Sequence, residues 1–206
     1  MNIQNLTFPN HLFILGRSMS GKSNIINHII HTHKDKFVKI AVFGRANYDS
    51  RLVDYQYSFE ITDESSDDIS DRIRKRATLI LNRSARGIDT NQTPILLIFD
   101  DILFVNFRKH SDFWGSFISD CRHQNISLIF SIQHYTGISS VMRSNVRYIM
   151  CTSVNNDIID KIQNYTLLTR SELRDMVMNL EKYQFLYIDT SQNSLDIFTV
   201  SLFEFP

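Results

Sequence analysis

Apolar residues fall along this chain in two spacings. Short apolar runs, unbroken at 12–15 and 95–99 and interrupted only by Lys39 in 37–43 and by Ser127 and Ser131 in 126–132, alternate with longer stretches in which apolar positions return every three or four residues. An unbroken run of that length marks a strand buried on both faces, and the wider spacing marks an amphipathic helix. Strands are accordingly expected at 11–15, 37–43, 56–60, 95–99, 126–132 and 147–152, and helices at 22–33, 65–84, 112–123, 156–165 and 169–181. The chain closes with 185–188 and 195–200 around a polar turn, which reads as a hairpin. Alternating strands and helices, with the strands apolar, predict a single α/β domain over 1–206. Its central sheet is mainly parallel and is covered by helices on both faces.

Two of the helices carry further signals. In 65–84, Ile69, Ile73, Ala77, Ile80 and Leu81 share one face. Acidic residues (Asp67, Asp68, Asp71) crowd its first half, and basic ones (Arg72, Arg74, Lys75, Arg76, Arg83, with Arg86 just beyond) its second. That order complements the helix dipole; the rival reading is a stripe of arginines turned toward DNA. The helix at 169–181 opens on Thr169-x-x-Glu172, a capping box, ahead of Leu173, Met176, Val177 and Leu180.

Between the first strand and the first helix stands Gly16-Arg17-Ser18-Met19-Ser20-Gly21-Lys22-Ser23, which reads G-x-x-x-x-G-K-S. Strand, glycine-bounded loop and helix, in that order, are the context that makes this pattern a phosphate-binding loop. The glycines let the backbone curl so that successive N–H groups point inward, and the helix adds its unpaired first-turn donors. Lys22 is expected on the β- and γ-phosphates of a nucleotide, and the Ser23 hydroxyl on Mg²⁺. The alternative, an ordinary strand-to-helix turn, is poorly served by a chain holding only six glycines.

Composition narrows the setting. The 206 residues, 43% of them apolar and 21% charged, suffice for a sizeable core. Lys and Arg balance Asp and Glu, so the formal net charge is zero and no global field draws the monomer onto a polyanion. Cys121 and Cys151 are the only cysteines, too few for a disulfide framework and without metal-ligand spacing, which suits a reducing, intracellular setting. The first apolar run is too short to span a bilayer and no basic leader precedes it, so a soluble chain without a membrane span is expected.

Ligands of open α/β sheets sit off the carboxyl ends of the strands. The loop at Gly16 is there, as are Asp100-Asp101 at the end of one buried strand and Gln133 at the end of another. A carboxylate after several apolar residues is the Walker B arrangement. Asp100 is expected to hold Mg²⁺, and Asp101 to polarise the attacking water if the chain turns between them. The plainer reading of the pair is a helix cap or turn. The acidic pair is expected on the strand next to that of the loop. Gln133 either bonds the γ-phosphate or the lytic water, or is a satisfied strand terminus. Ring ATPases often complete a site with an arginine from the neighbouring subunit. Arg122, before the 126–132 strand, is one candidate, Arg143 and Arg147 are others, and each reads equally as a surface cation.

Taken together, G-R-S-M-S-G-K-S, I-L-L-I-F-D-D, C-R-H-Q-N-I-S-L-I-F-S-I-Q and V-M-R-S-N-V-R-Y-I-M, in this order, resemble the FtsK–HerA superfamily. The closest resemblance is to its viral genome-packaging ATPases of the poxvirus, giant-virus and virophage type. It covers about residues 10–155. It implies a RecA-like P-loop ATPase that binds ATP and Mg²⁺, forms a homo-oligomeric ring of five or six subunits, and drives double-stranded DNA into a capsid. A capsid vertex or portal protein would be its partner, and the virion or the viral factory in the host cytoplasm its place. By position, residues 16–23 hold phosphate and Ser23 and Asp100 the metal. Asp101 matches the catalytic carboxylate, Gln133 the polar sensor and Arg122 the arginine of the R-H segment. Many members have Glu where Asp101 stands, which shortens this carboxylate's reach by one methylene. Candidate DNA contacts are Phe107-Arg108-Lys109 and the stretch 134–143. Two other readings are weighed: a small-molecule (nucleoside or nucleotide) kinase, for whose arginine-rich lid 72–86 is easily mistaken, and a nucleotide-binding structural subunit without turnover, against which intact Lys22, Ser23, Asp100 and Asp101 speak.

Overall fold

The computed structural model describes residues 6–44, 48, 53–58, 66–86, 94–101, 110–133, 138–152, 156–181 and 183–199. Within them, β1 (His11–Leu15), β2 (Lys39–Gly44), β3 (Tyr55–Ser58), β4 (Ile95–Asp100), β5 (Ile126–Ile132) and β6 (Tyr148–Cys151) run parallel. The strands β7 (Gln184–Asp189) and β8 (Ser194–Thr199) add antiparallel at one edge, giving the order β3-β2-β4-β5-β1-β6-β7-β8. The helices are α1 (Lys22–His33), α2 (Ser66–Ala85), α3 (Ser111–His123), α4 (Ser140–Ser144), α5 (Asn156–Ile162) and α6 (Arg170–Met178).

Side chains along each strand alternate between the two sheet faces. Phe13, Phe43, Ile95, Leu97, Phe99, Leu128 and Phe130 pack with α2, α3, α5 and α6. Their alternates, Leu12, Ile14, Val42, Leu96 and Ile98, pack with Ile25, Ile26, Ile29 and Ile30 of α1. Both faces are therefore buried, as unbroken apolar strands require. On the first face Phe99 stacks between Phe43 and Phe130 at centroid distances of 4.9 Å, with Trp114 edge-on at 5.5 Å. Both thiols are free and buried. Among the described residues no helix is long and apolar enough to cross a membrane.

Departures from the sequence-based expectation are local. The second strand starts at Lys39 because Lys34–Lys36 form a 3-10 turn, closed by the Phe37 N–H on the Lys34 carbonyl. The stretch 156–165 divides into α5 and a 3-10 turn at Gln163–Tyr165. Helix α4 was not foreseen; its five residues are too short to show a period, and the Ser139 hydroxyl caps it through the Met142 N–H. The arginines of α2 engage their own molecule: Arg74 pairs with Asp71 and lies over Phe113, and Arg76 lies over Tyr57. These contacts favour a packed helix over a DNA-facing stripe.

Candidate nucleotide-binding site

The loop after β1 is fastened on two sides. The Gly16 N–H donates to the Ile132 carbonyl at the end of β5 (3.1 Å). At the end of β6, the Thr152 hydroxyl donates to that of Ser20 (2.7 Å). A Cβ on Gly16 would stand 1.8 Å from Thr152 Oγ1 and 2.5 Å from Ser20 Oγ, so only glycine fits there. Met19 (φ 58°) and Gly21 (φ 91°) lie in the left-handed region and turn the loop into α1. No side chain caps α1. The Asn24 N–H donates to the Gly21 carbonyl (3.0 Å), and the donors before it are left for an anion, where the helix dipole favours negative charge. Lys22 is buried and donates from Nζ to the Gly16 carbonyl (3.0 Å) and the Arg17 carbonyl (2.7 Å). Burial lowers its pKa, and the charges of Asp101 and then Asp100 pull it partway back.

Asp100 follows the parity of Leu96 and Ile98 and so turns to the α1 face, where Ser23 lies in the first turn of the helix. It is 2% exposed. Its Oδ2 accepts from the Tyr48 hydroxyl (2.6 Å) and the Ser23 hydroxyl (3.2 Å). Its Oδ1 is buried without a hydrogen-bond partner among the described residues. Asp101 has φ 51°, so the chain does turn between the two carboxylates. Asp101 Oδ1 accepts from Gln133 Nε2 (2.6 Å), a bond from the end of β5. An all-oxygen set with one unsatisfied carboxylate oxygen suits a hard divalent cation. Among the described residues no group of three or more His, Cys, Asp or Glu is placed to hold a metal ion.

Ser18 to Asn24, Asp100, Asp101 and Gln133 line one cavity of 460 Å³. The acidic pair is not on the strand beside β1, as expected from the sequence; β5 lies between β1 and β4. Two strand spacings, about 10 Å, therefore separate the loop strand from Asp100, and Gln133 fills the middle. A second hollow of 520 Å³ shares Met19, Ser20, Gly21 and Asn24 with the first and is walled by Val177, Leu180 and Tyr183.

Lys22, Ser23, Asp100, Asp101 and Gln133 thus meet in one place, and the arginines do not. Exposed Arg122 ends α3 and acts electrostatically on His11, which starts β1, at the opposite rim of the sheet. Arg147 stands at that same rim, its N–H on the His11 carbonyl and its guanidinium paired with Asp189 (3.3 Å). Arg143 belongs to α4 and bonds the Ile138 carbonyl. Phe107-Arg108-Lys109 and 134–137 lie outside the described residues. Tyr48 was missed: an isolated tyrosine in a polar, aromatic segment carries no signal until the fold brings it to Asp100.

The sequence matches the family model described as Poxvirus A32 protein over residues 3–195. No curated protein matches at comparable significance. Among solved structures, the chain is similar to the genome packaging NTPase B204 of Sulfolobus turreted icosahedral virus 2 in complex with sulfate. That match has 16% identity and a TM-score of 0.69, covering 94% of this chain and 97% of that one. The same enzyme in complex with AMPPCP matches at 17% identity and a TM-score of 0.66, over 94% and 98%. The cytoplasmic domain of the Thermomonospora curvata type VII secretion ATPase EccC matches at 11% identity and a TM-score of 0.67, over 93% of this chain and 25% of that one. Likeness at these identities establishes the fold, and the expected RecA-like P-loop architecture is borne out.

Proposed function

The chain belongs to the poxvirus A32 protein family, and from that premise we propose that it hydrolyses ATP to drive double-stranded viral DNA into a capsid. The observation that carries this reading is the convergence of Lys22, Ser23, Asp100, Asp101 and Gln133 on the cavity floored by the glycine loop. The triphosphate lies along residues 16–23, with its nucleoside in the adjoining hollow beside Val177 and Leu180. Lys22 exchanges its two loop carbonyls for the β- and γ-phosphates. Ser23 and Asp100 hold Mg²⁺, which when bound neutralises charge between the phosphates. Gln133 keeps Asp101 oriented through its 2.6 Å bond. Asp101 takes the proton of the water that attacks the γ-phosphorus, and the ADP oxygen leaves with the bond electrons.

Arg122 cannot serve its own site from the far rim of the sheet. It acts in a ring of five or six copies, reaching the γ-phosphate of a neighbour, where an arginine is worth about 10³–10⁵ in rate. The ring encloses the DNA and docks on a capsid vertex or portal protein, in the virion or in the viral factory of the host cytoplasm. The kinase alternative has no support among the relatives.

Phosphate release measured against protein concentration, with and without duplex DNA, tests the reading. Steep concentration dependence and stimulation by DNA are expected. Lys22→Ala should abolish turnover. Arg122→Ala should bind ATP, fail to hydrolyse it, and poison mixtures with wild type. Wild-type rates in the Lys22 variant, or phosphate transfer to nucleosides without DNA stimulation, would end the assignment.

A further inference from the structure

Asp100 has a buried neighbour that the nucleotide-binding motifs do not include. Tyr48 is 7% exposed and packs in the cluster that α1 forms with Val42 and Ile98. Its own N–H donates to Gln56 Oε1 on β3 (3.1 Å), so the residue is anchored at both ends. The hydroxyl donates to Asp100 Oδ2 at 2.6 Å, closer than Ser23 at 3.2 Å on the same oxygen. The other oxygen, Oδ1, meets no donor among the described residues although it is buried.

We propose that Tyr48 is a positioning residue for the metal: by pinning Oδ2 it fixes the carboxylate plane and leaves Oδ1 to the cation. The proposal rests on the reading of the cavity as a nucleotide site. The terminal torsion of an aspartate is broad and nearly two-fold, so a carboxylate held at neither oxygen does not present a fixed edge. Ser23 is a poor sole anchor, because its hydroxyl oxygen is itself spent on the metal. The phenol's one proton goes to Asp100, and the Ser23 hydroxyl is its other hydrogen-bond neighbour. A charged oxygen buried without a partner is costly, and the cation or its bound water relieves that cost. Loss of a group that orients a metal ligand typically weakens metal affinity about 10–100-fold.

The test titrates Mg²⁺ against a fluorescent ATP analogue on the full chain, for wild type and Tyr48→Phe. The variant keeps the ring and should keep the fold by circular dichroism. Its uptake of the analogue in EDTA should match wild type, while half-saturating Mg²⁺ rises about tenfold. An unchanged Mg²⁺ midpoint overturns the inference alone, and so does equal loss of binding in EDTA, which would make Tyr48 a mere support of the loop. A wild-type chain that takes up no analogue at all overturns this inference and the nucleotide site together. Should the phenylalanine variant not fold, 3-fluorotyrosine at position 48 retains the hydroxyl. Its ¹⁹F resonance in the analogue-loaded chain should move on adding Mg²⁺; a stationary resonance refutes the contact.

Discussion

Gly16 shows how a single residue can be dictated by its surroundings. The loop is drawn against β5 by the Gly16 N–H and against β6 by the Ser20–Thr152 bond, and the space between admits no Cβ. Gly16→Ala should therefore push the loop off Thr152 and lower affinity for a fluorescent ATP analogue at least tenfold, about 1.4 kcal/mol. Adding Thr152→Ala should restore part of that loss, because the nearest atom in the way is Thr152 Oγ1. Contacting residues of this kind are coupled, and the double-mutant cycle measures the coupling. A double variant no better than Gly16→Ala would show that the clash is not the cause. At this scale the glycines, Lys22 and Ser23 were legible in advance, because a phosphate cradle is local and its spacing is written in consecutive residues. Thr152 and Tyr48 were not, since each reaches the site from more than twenty residues away along the chain.

Helix α6 shows the same division at the scale of an element. Its start was readable: the Glu172 N–H donates to Thr169 Oγ1 (3.3 Å) and the Thr169 N–H to Glu172 Oε2 (2.8 Å). Its end was not, since it stops at Met178 with the Asn179 N–H on the Asp175 carbonyl, without a glycine or proline to announce it. Thr169→Ala removes the cap, a loss of about 1 kcal/mol. For a chain of this size the melting temperature should fall by roughly 2–4 °C. Because Val177 and Met178 of this helix border the second hollow, ATP-analogue binding should weaken too, but less than in Gly16→Ala. A variant with weakened binding and an unchanged melting temperature would contradict that order of cause.

At the scale of the whole molecule, the fold keeps a histidine out of water at the far rim. His11 is 1% exposed and its Nε2 meets the Ile118 carbonyl at 2.9 Å, so that nitrogen carries the proton and Nδ1 is the bare one. Burial first, and the nearby Arg122 charge after it, bring its pKa down to about 4 against a weaker upward pull from the Ile118 bond. The unfolded chain takes up this proton near pH 6.5 while the fold refuses it until about pH 4. Stability should therefore fall as pH drops through that window, by roughly 3 kcal/mol from this group. His11→Gln should flatten the dependence, read as urea midpoints at pH 7 and pH 5. Equal slopes in variant and wild type would refute the assignment.

The sequence by itself determined the strands and most helices, because burial on both faces leaves unbroken apolar runs, and it determined the phosphate loop, because that cradle is contiguous. It also singled out Asp100, Asp101 and Gln133, since each ends an apolar strand where ligands of such sheets bind, and the fold places all three along one cavity. Strand order was decided only in three dimensions: β5 inserts between β1 and β4 and so brings Gln133 onto Asp101. The parallel course of β5 left Arg122, just before that strand, on the rim opposite the glycine loop. Tertiary structure alone supplied the Tyr48 hydroxyl on Asp100, because a hydrogen bond that closes a loop onto a distant strand leaves no periodicity behind.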